Sequence, residues 1–246
     1  MGETSPAVKV SQLTKVIREK IIVDRISFTV DKGEVFGLLG ANGSGKTTTF
    51  NMMSGLLTPS SGDVEVLGKS LKEMKKGGVP EVGMVTQQDS FYETLTVKEN
   101  LEFFADQFGI PKKISRERIA DLLKQVKLTS KRNALASSLS GGMKKRLNLA
   151  CSLVHDPIVI FMDEPTVGLD PVVRKEIWAL IRDLHKAGKV IIFTSHYMDE
   201  VEELCDKVAI MFAGRIVDSG TPEKLKKKYK LNQMEDVFAH LIKRGV

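Results

Sequence analysis

The feature that most constrains the fold is a short apolar strand that runs directly into a glycine-rich loop. The strand VFGLL at residues 35–39 is followed by GANGSGKT at 40–47, which fits G-x-x-x-x-G-K-[ST], and a helical pattern follows. Glycines let consecutive backbone N–H groups turn toward an anion, and the helix N-terminus adds partial positive charge. A glycine-rich turn with no ligand is the alternative, but the strand, the lysine and the threonine are all in register. We therefore predict a phosphate-binding loop, formed by Gly40, Ala41, Asn42, Gly43, Ser44, Gly45, Lys46, Thr47 and Thr48.

Two kinds of strand pattern surround this loop. Short segments rich in Val, Ile and Phe at 35–39, 158–162, 190–194 and 208–212 predict strands buried on both faces of a parallel sheet. Segments 8–13, 26–30 and 64–67 alternate more and predict an antiparallel sheet at the edge of the fold. The chain is therefore of the α/β class.

Helical spacing dominates between residues 97 and 150 and again after residue 220. Apolar residues recur three and four positions apart in the first region, at Val97, Leu101, Phe104 and Phe108 and at Ile119, Leu122, Leu123 and Val126. We expect a helical insertion within the sheet domain. Two short helices are predicted at the end, one at 222–229 and one with an apolar stripe of Met234, Val237, Phe238 and Leu241. The stripe either packs on its own domain or meets a partner.

Composition excludes several classes of protein. The chain has 246 residues, 42% of them hydrophobic and 28% charged, which argues against disorder, collagen and a disulfide scaffold. No apolar run approaches the roughly 18 residues of a membrane helix. The start of the sequence has no secretory pattern, and Pro6 occupies the position where myristoylation requires Ser or Thr. We expect a cytoplasmic protein in which Cys151 and Cys205, without a CxxC pattern, are buried reduced thiols.

Positive charge is concentrated at the end of the sequence. Seven basic and three acidic residues in segment 221–246 give +4 of the net +6. Such a cluster fits nucleic acid, an anionic membrane surface or a solvated helix face, so charge alone does not choose a partner.

Two acids follow the second apolar strand. Asp163 and Glu164 come directly after 158–162, at the carboxyl edge of a parallel sheet, where ligands bind. We expect Asp163 and the Thr47 hydroxyl to hold Mg²⁺, and Glu164 to orient or deprotonate a water molecule. Two solvated acids at a strand end are the alternative.

Two further features complete a family resemblance: LSGGM at residues 139–143 and a lone His196 after the strand VIIFT. Over residues 8–219 the chain resembles the ATP-binding subunit of ABC transporters. The resemblance implies an α/β P-loop NTPase (RecA-like) core with an antiparallel β edge subdomain and an inserted α-helical signature subdomain. It implies one domain over 1–246, with the catalytic core at 1–89 and 155–220, the helical subdomain at 90–154 and a short helical tail at 221–246.

The resemblance also implies residue roles. Gln87 is the glutamine that touches Mg²⁺ and links the core to the helical subdomain; it is the eighth residue before Leu95, the usual spacing, and Gln88 is the alternative. His196 hydrogen-bonds the γ-phosphate and holds the Glu164 water. In the signature, Ser140 and Gly142, with Gly141 between them, cap the phosphates of a nucleotide held by the opposite subunit.

The sequence departs from the family pattern in three places. Met143 replaces the signature Gln, which spares the phosphate-contacting residues. Val167 replaces a Ser in the loop after Glu164, which leaves Asp170 to make the contact with the partner subunit. Ile17 falls where an aromatic residue usually stacks on adenine, so apolar contact replaces base stacking.

The function implied is ATP hydrolysis that powers a membrane permease carried on a separate chain. A second ATP-binding subunit would complete a head-to-tail dimer at the cytoplasmic face of the membrane, and we expect this subunit to be a second copy of the same chain. The signature and tail are similar to ATPases of ABC-2-type exporters, with an importer as the alternative. Soluble ABC ATPases that act on DNA or on the ribosome are a second alternative. The DNA-acting members carry a long coiled coil and the ribosomal members resemble two fused domains, and this sequence shows neither pattern. We therefore expect no nucleic-acid partner.

Overall fold

The computed structural model describes residues 5–70 and 80–243, which form two β-sheets and a set of helices. The strands are β1 Val8–Ile17, β2 Lys20–Val30, β3 Val35–Gly40, β4 Ser61–Val66, β5 Lys69–Ser70, β6 Val82–Val85, β7 Val159–Asp163, β8 Val190–Ser195, β9 Lys207–Phe212 and β10 Arg215–Gly220. The helices are α1 Lys46–Met53, α2 Val97–Gln107, α3 Lys112–Gln125, α4 Gly141–Leu153, α5 Pro171–Lys186, α6 Met198–Leu204, α7 Pro222–Tyr229 and α8 Met234–Lys243. Short 3₁₀ turns occur at Thr129–Lys131 and Ala136–Ser138.

The larger sheet has the strand order β10-β9-β3-β8-β7-β6. Strands β6, β7, β8, β3 and β9 run parallel, and β10 pairs antiparallel with β9. The four predicted parallel strands are confirmed, except that β7 begins at Val159 and Ile158 is 44% exposed. The sequence analysis missed β6, whose four residues are too short a run to stand out.

Alternate residues of the parallel strands pack on opposite faces of this sheet. Leu39 and Phe193 belong to one apolar cluster with residues of helices α2 to α8. Phe36 and Ile192 belong to a second cluster that includes residues of α1 and of the smaller sheet. The sheet is thus buried on both faces, as its near-continuous apolar strands predict.

The smaller sheet is antiparallel, with the order β2-β1-β4-β5, as predicted. Its hairpin is longer than predicted, because the chain turns at Arg18 and Glu19, which have φ of 47° and 64°. Primed hairpin turns need such positive φ angles and are usually marked by Gly or Asn. Neither Gly nor Asn is present here, so no local pattern marks the turn.

The helical insertion follows the predicted spacing with one correction. The α2 helix starts with a capping box between Thr96 and Glu99 and ends at Gln107. Phe108 therefore lies beyond the helix; it is 43% exposed, and its ring stacks on His155 with centroids 3.7 Å apart. The predicted apolar residues around α3 are all buried: Ile119, Leu122, Leu123 and Val126.

The apolar stripe of α8 packs on its own domain. Met234, Val237 and Leu241 are buried in the apolar cluster that also contains Leu39 and Phe193 of the larger sheet. Phe238 packs against that cluster. The first of the two alternatives for this helix is thus the one that the structure shows.

Some basic residues of the tail pair with carboxylates of the same chain. The Lys226 ammonium lies 2.6 Å from Glu202, and that of Lys228 lies 2.7 Å from Asp218. Arg244 lies outside the described residues. The described part of the cluster is therefore partly neutralised at its own surface.

Both cysteines are free thiols, but only Cys151 is fully buried. The prediction of two buried thiols is confirmed for Cys151, while Cys205, at the C-terminal end of α6, is partly exposed as a whole residue. Its Sγ nevertheless packs under β3, where a Cβ on Gly37 would lie 2.6 Å away. Burial raises the pKa of both thiols.

Among the described residues, no helix has the length and apolar character needed to cross a membrane. The division into core, helical subdomain and tail stays a prediction.

Candidate nucleotide site

The glycine-rich loop curls tightly between β3 and α1. Gly45, which precedes the first turn of α1, has φ of 104°, a conformation that L side chains rarely adopt. A Cβ on Gly40 would lie 2.5 Å from Ser44 Oγ and 2.6 Å from the Met211 carbonyl oxygen. The two glycines are thus required by the shape of the loop.

Two polar groups of this loop are suited to an anion. Ser44 Oγ is buried and has no hydrogen-bond partner among residues 5–70 and 80–243. Lys46 is 4% exposed, and its Nζ donates to the carbonyl oxygens of Gly40 at 2.9 Å and Ala41 at 3.1 Å. An unsatisfied buried hydroxyl beside a buried ammonium, at the start of a helix, fits a bound phosphate.

The loop opens on a cavity of about 480 Å³, within the size range of small-molecule sites. Its lining residues are Ile22, Asn42, Gly43, Gly45, Lys46, Thr47, Thr48, Gln87 and Glu164. Gln87 is part of this lining. Both glutamines are exposed, but Gln88 does not line the cavity, and its backbone carbonyl oxygen accepts a hydrogen bond from Thr86 Oγ1 at 2.7 Å. The geometry thus favours Gln87 over Gln88.

Asp163, at the end of β7, is held by hydroxyl groups. Its Oδ1 accepts from Thr194 Oγ1 at 2.5 Å and from Thr47 Oγ1 at 3.5 Å. Burial, together with the charge of Glu164, raises the pKa of Asp163, against the lowering effect of the two hydroxyls and Lys46. Asp163 and Thr47 are close enough to share one cation.

Glu164 is the centre of the charged cluster. Its Oε1 lies 3.5 Å from Lys46 Nζ and 3.2 Å from His196 Nδ1. Its backbone N–H donates to Thr194 Oγ1 at 3.0 Å, and its φ of 47° turns the chain away from the strand direction. Burial lowers the pKa of Lys46, and the attraction of Glu164 opposes that shift. One carboxylate oxygen of Glu164 thus has both an ammonium group and an imidazole as neighbours.

Some predicted site residues lie elsewhere. Ile17 is at the end of β1, is 42% exposed and does not line the cavity, whereas Ile22 does. The signature and partner-contact residues Ser140, Gly141, Gly142 and Asp170 do not line it either. They stand at the starts of two helices.

Those two helix starts are well capped. Ser140 Oγ accepts from the Met143 N–H at 3.4 Å, and Asp170 Oδ1 accepts from the N–H groups of Val172 at 3.0 Å and Val173 at 3.1 Å. Met143 is partly buried against the apolar core, which gives this departure from the family pattern a packing role. Nothing in the structure explains Val167.

Sequence reasoning missed Thr194, which holds both acids. The β7–β8 register sets it directly beside Asp163. A polar residue at the end of an otherwise apolar strand was the available signal. The pairing of β7 with β8, which gives that signal its meaning, is not visible in the sequence.

A buried strand, a curled loop with its lysine, and two acids at a neighbouring strand end define a P-loop nucleotide-binding protein. The profile of the ABC transporter family matches residues 23–167, and the chain belongs to this family.

Relatives and solved structures agree with this assignment. The chain is 41% identical over 222 residues to Nod factor export ATP-binding protein I of Ralstonia nicotianae (strain ATCC BAA-1114 / GMI1000), covering 90% of this chain and 69% of the relative. It is 40% identical over 246 residues to the probable multidrug ABC transporter ATP-binding protein YbhF of Escherichia coli (strain K12), covering 98% of this chain but only 42% of that longer relative.

Two solved structures share the fold. The ATP-binding subunit of an ABC transporter has a TM-score of 0.88 and 25% identity, over 96% of this chain and 99% of the other. The structure of cbiO1 from Clostridium perfringens, part of the ABC transporter complex cbiONQ, has a TM-score of 0.81 and 29% identity, over 92% and 93% of the two chains. The predicted P-loop NTPase fold is confirmed.

Proposed function

We propose that this chain binds ATP with Mg²⁺ and hydrolyses it to drive a membrane exporter. The observation that carries the proposal is that Lys46 Nζ and His196 Nδ1 both lie within 3.5 Å of Glu164 Oε1, beside the nucleotide cavity. Family membership supplies the nucleotide-binding role, and this cluster supplies a means of hydrolysis.

The loop would hold the phosphates. Gly45, Lys46 and Thr47, at the start of α1, line the cavity, and the buried Ser44 hydroxyl of the same loop has no hydrogen-bond partner among the described residues. In the structure the Lys46 ammonium donates hydrogen bonds to two loop carbonyl oxygens and forms an ion pair with Glu164. A phosphate group would attract that ammonium more strongly than neutral carbonyls do.

Thr47, Asp163 and Gln87 would hold Mg²⁺. Such a small set of protein oxygens suits this ion, which usually keeps waters and substrate phosphates as its other ligands. The ion would neutralise charge on the phosphates during transfer. Thr194 keeps the Asp163 carboxylate in place by its 2.5 Å hydrogen bond.

Glu164 would orient or deprotonate the attacking water, and His196 would hold the γ-phosphate and that water. Both side chains are on strand ends at one edge of the sheet, and the His196 imidazole already contacts the carboxylate. General bases act through such short contacts.

A second subunit would complete the site. Ser140 and Gly141 are exposed at the start of α4, where the positive end of the helix could meet an anion, but they do not line this chain's own cavity. A head-to-tail homodimer would bring Ser140 and Gly142 of one copy to the nucleotide of the other, with Asp170 at the contact.

Export is favoured by the relatives, one of which is named a Nod factor export ATP-binding protein and another a probable multidrug ABC transporter ATP-binding protein. We propose a permease on a separate chain that docks near the Gln87 loop, with this chain at the cytoplasmic face of the membrane. An importer permease is the alternative. Copurification with a polytopic membrane protein tests the assignment, and a stable complex with DNA or ribosomes instead would contradict it.

The mechanism is tested by size-exclusion chromatography of Glu164→Gln with Mg-ATP. This variant keeps the shape of the side chain but removes its charge, so ATP should bind, hydrolysis should fall by about 100-fold or more, and a long-lived dimer should form. Adding Ser140→Arg should abolish the dimer while the monomer still binds ATP. A double variant that dimerises as well as Glu164→Gln does would contradict the proposed sandwich.

A further inference from the structure

A second carboxylate is buried near the nucleotide site but takes no part in it. Glu200, on α6, is 1% exposed and accepts three side-chain hydrogen bonds. Its Oε1 accepts from Thr166 Oγ1 at 2.8 Å and from Trp178 Nε1 at 3.1 Å, and its Oε2 accepts from Ser195 Oγ at 2.6 Å. Burial raises the pKa of Glu200, while the three donors favour its ionised form. A buried carboxylate is tolerated only when it is satisfied in this way.

Two of the three donors belong to the segments that carry the proposed catalytic groups. Thr166 follows Glu164 by two residues and is itself 1% exposed. Ser195 immediately precedes His196, and its Oγ also accepts from the Tyr197 N–H at 3.0 Å. The backbone on both sides of His196 is therefore tied to one hydroxyl, and that hydroxyl is tied to Glu200.

The third donor supplies a contrast. Trp178 lies within α5 and belongs to neither segment. Its indole N–H reaches the same Oε1 atom that accepts from Thr166. Loss of either bond leaves the same carboxylate oxygen with one fewer donor, but only the Thr166 bond leads to Glu164.

We propose that Glu200 is a positioning residue for ATP hydrolysis, which fixes the 3.2 Å contact between His196 and Glu164 by holding both of their segments on one carboxylate. It reaches neither residue directly and acts through Ser195 and Thr166. The inference rests on the proposed ATPase function, and it adds a requirement that the nucleotide contacts do not contain.

The physical reason is rigidity. Both oxygens of Glu200 are engaged from different directions, so the carboxylate can neither rotate nor shift without losing a bond in a region that water does not reach. Proton transfer and water orientation depend steeply on such geometry, whereas most of the proposed phosphate contacts come from the loop and the start of α1, which do not contact Glu200.

The test compares ATP turnover by the full-length chain and its single variants. Thr166→Val and Ser195→Ala each remove one hydroxyl donor to Glu200, and Trp178→Phe removes the indole donor as the matched control. We expect all three to lower the melting temperature by a few degrees. We expect kcat to fall by about tenfold or more in the first two only, with the KM for ATP within about twofold of wild type.

A conservative variant separates positioning from packing. Thr166→Ser keeps the hydroxyl and should restore kcat to within about twofold of wild type, although it removes a buried methyl group. Turnover that falls equally in Trp178→Phe and Thr166→Val, or wild-type kcat in both Thr166→Val and Ser195→Ala, would overturn the positioning role. An inactive wild-type chain would instead refute the ATPase function and this inference with it, so the two failures are distinguishable.

Discussion

Lys46 Nζ lies 3.5 Å from Glu164 Oε1, and both side chains are buried, 4% and 10% exposed. Each charge thus offsets the other in a region of low hydration, where an unpaired charge costs several kcal/mol. The pair ties the phosphate-binding loop to the acid that would act on water. A phosphate placed at the loop competes for Lys46 and leaves His196 as the remaining neighbour of Glu164.

Removing this lysine should damage nucleotide binding. Lys46→Ala deletes the main side-chain charge near the phosphates, and we expect ATP affinity to fall by about 10- to 100-fold, as for loss of a charged hydrogen bond of ~1.5–3 kcal/mol. Isothermal titration calorimetry measures the change. Lys113→Ala, an exposed lysine on α3, is the control and should bind ATP as wild type does. Equal affinities for Lys46→Ala and wild type would refute the phosphate-loop assignment.

Asp163 should reduce the stability of the nucleotide-free chain at neutral pH. Its folded-state pKa is raised above the ordinary 3.8, first by burial, so the folded state favours the protonated form. The penalty is absent below pH 3.8 and is complete above the folded-state pKa, which means that stability falls as the pH rises between the two.

Asp163→Asn keeps an oxygen for Thr194 and cannot ionise. We expect it to melt at a higher temperature than wild type at pH 7 without Mg²⁺ or nucleotide, with a difference that shrinks toward pH 4. Thermal melts of both proteins across this range give the comparison. A gain that stays constant with pH, or a lower melting temperature at pH 7, would contradict the sign of the shift.

The position of the adenine base can be tested at Ile17. If the base lies there, Ile17→Tyr adds a stacking face of about 0.5–1.5 kcal/mol, so ATP binding should tighten severalfold. Ile21→Tyr is a suitable control, since Ile21 is 59% exposed and does not line the cavity. Identical ATP affinities for Ile17→Tyr and wild type would mean that the base does not lie at Ile17, and would favour Ile22, the apolar residue that lines the cavity, as its contact.

The last helix should act as part of the domain core. Leu241 is 5% exposed, and Leu241→Ala should destabilise the fold by about 2–4 kcal/mol, as for other buried leucines. The exposed Glu235→Ala, on the same helix, should change stability by less than about 0.5 kcal/mol. Urea unfolding followed by circular dichroism compares them. Unchanged stability in Leu241→Ala would mean that the stripe serves a partner instead.

The sequence predicts those parts of the molecule whose signal is local. The phosphate loop carries its own motif, and the period of the apolar residues separates buried strands from helices such as α3. The turn at Arg18 and Glu19 could not be predicted from the sequence, because its positive φ angles are held by strand pairing and not marked by Gly or Asn. Phe108 continued the helical spacing but lies past the end of α2, where it finds His155.

The parts of the site that were missed depend on contacts distant in the chain. Thr194 becomes important only because β8 lies beside β7, and Glu200 only because α6 brings it to Thr166 and Ser195. A glutamate in a helix reads as a solvated residue until its surroundings are known. Family resemblance supplied Gln87 and His196, whose single side chains carry no pattern of their own.

Strand β8 lies between β3 and β7, which sets the spacing of the site. The phosphate loop and the acids therefore leave the sheet about 10 Å apart, two strand spacings. That gap is wide enough for a phosphate and a cation, and Lys46 is long enough to cross it. The intervening strand carries Thr194 as its last residue but one and leads to His196, so the strand that separates the loop from the acids also supplies two side chains to the gap. Deleting one residue within β8 would turn Thr194 to the opposite face, and the gap would then keep its width but lose both of the side chains that organise it.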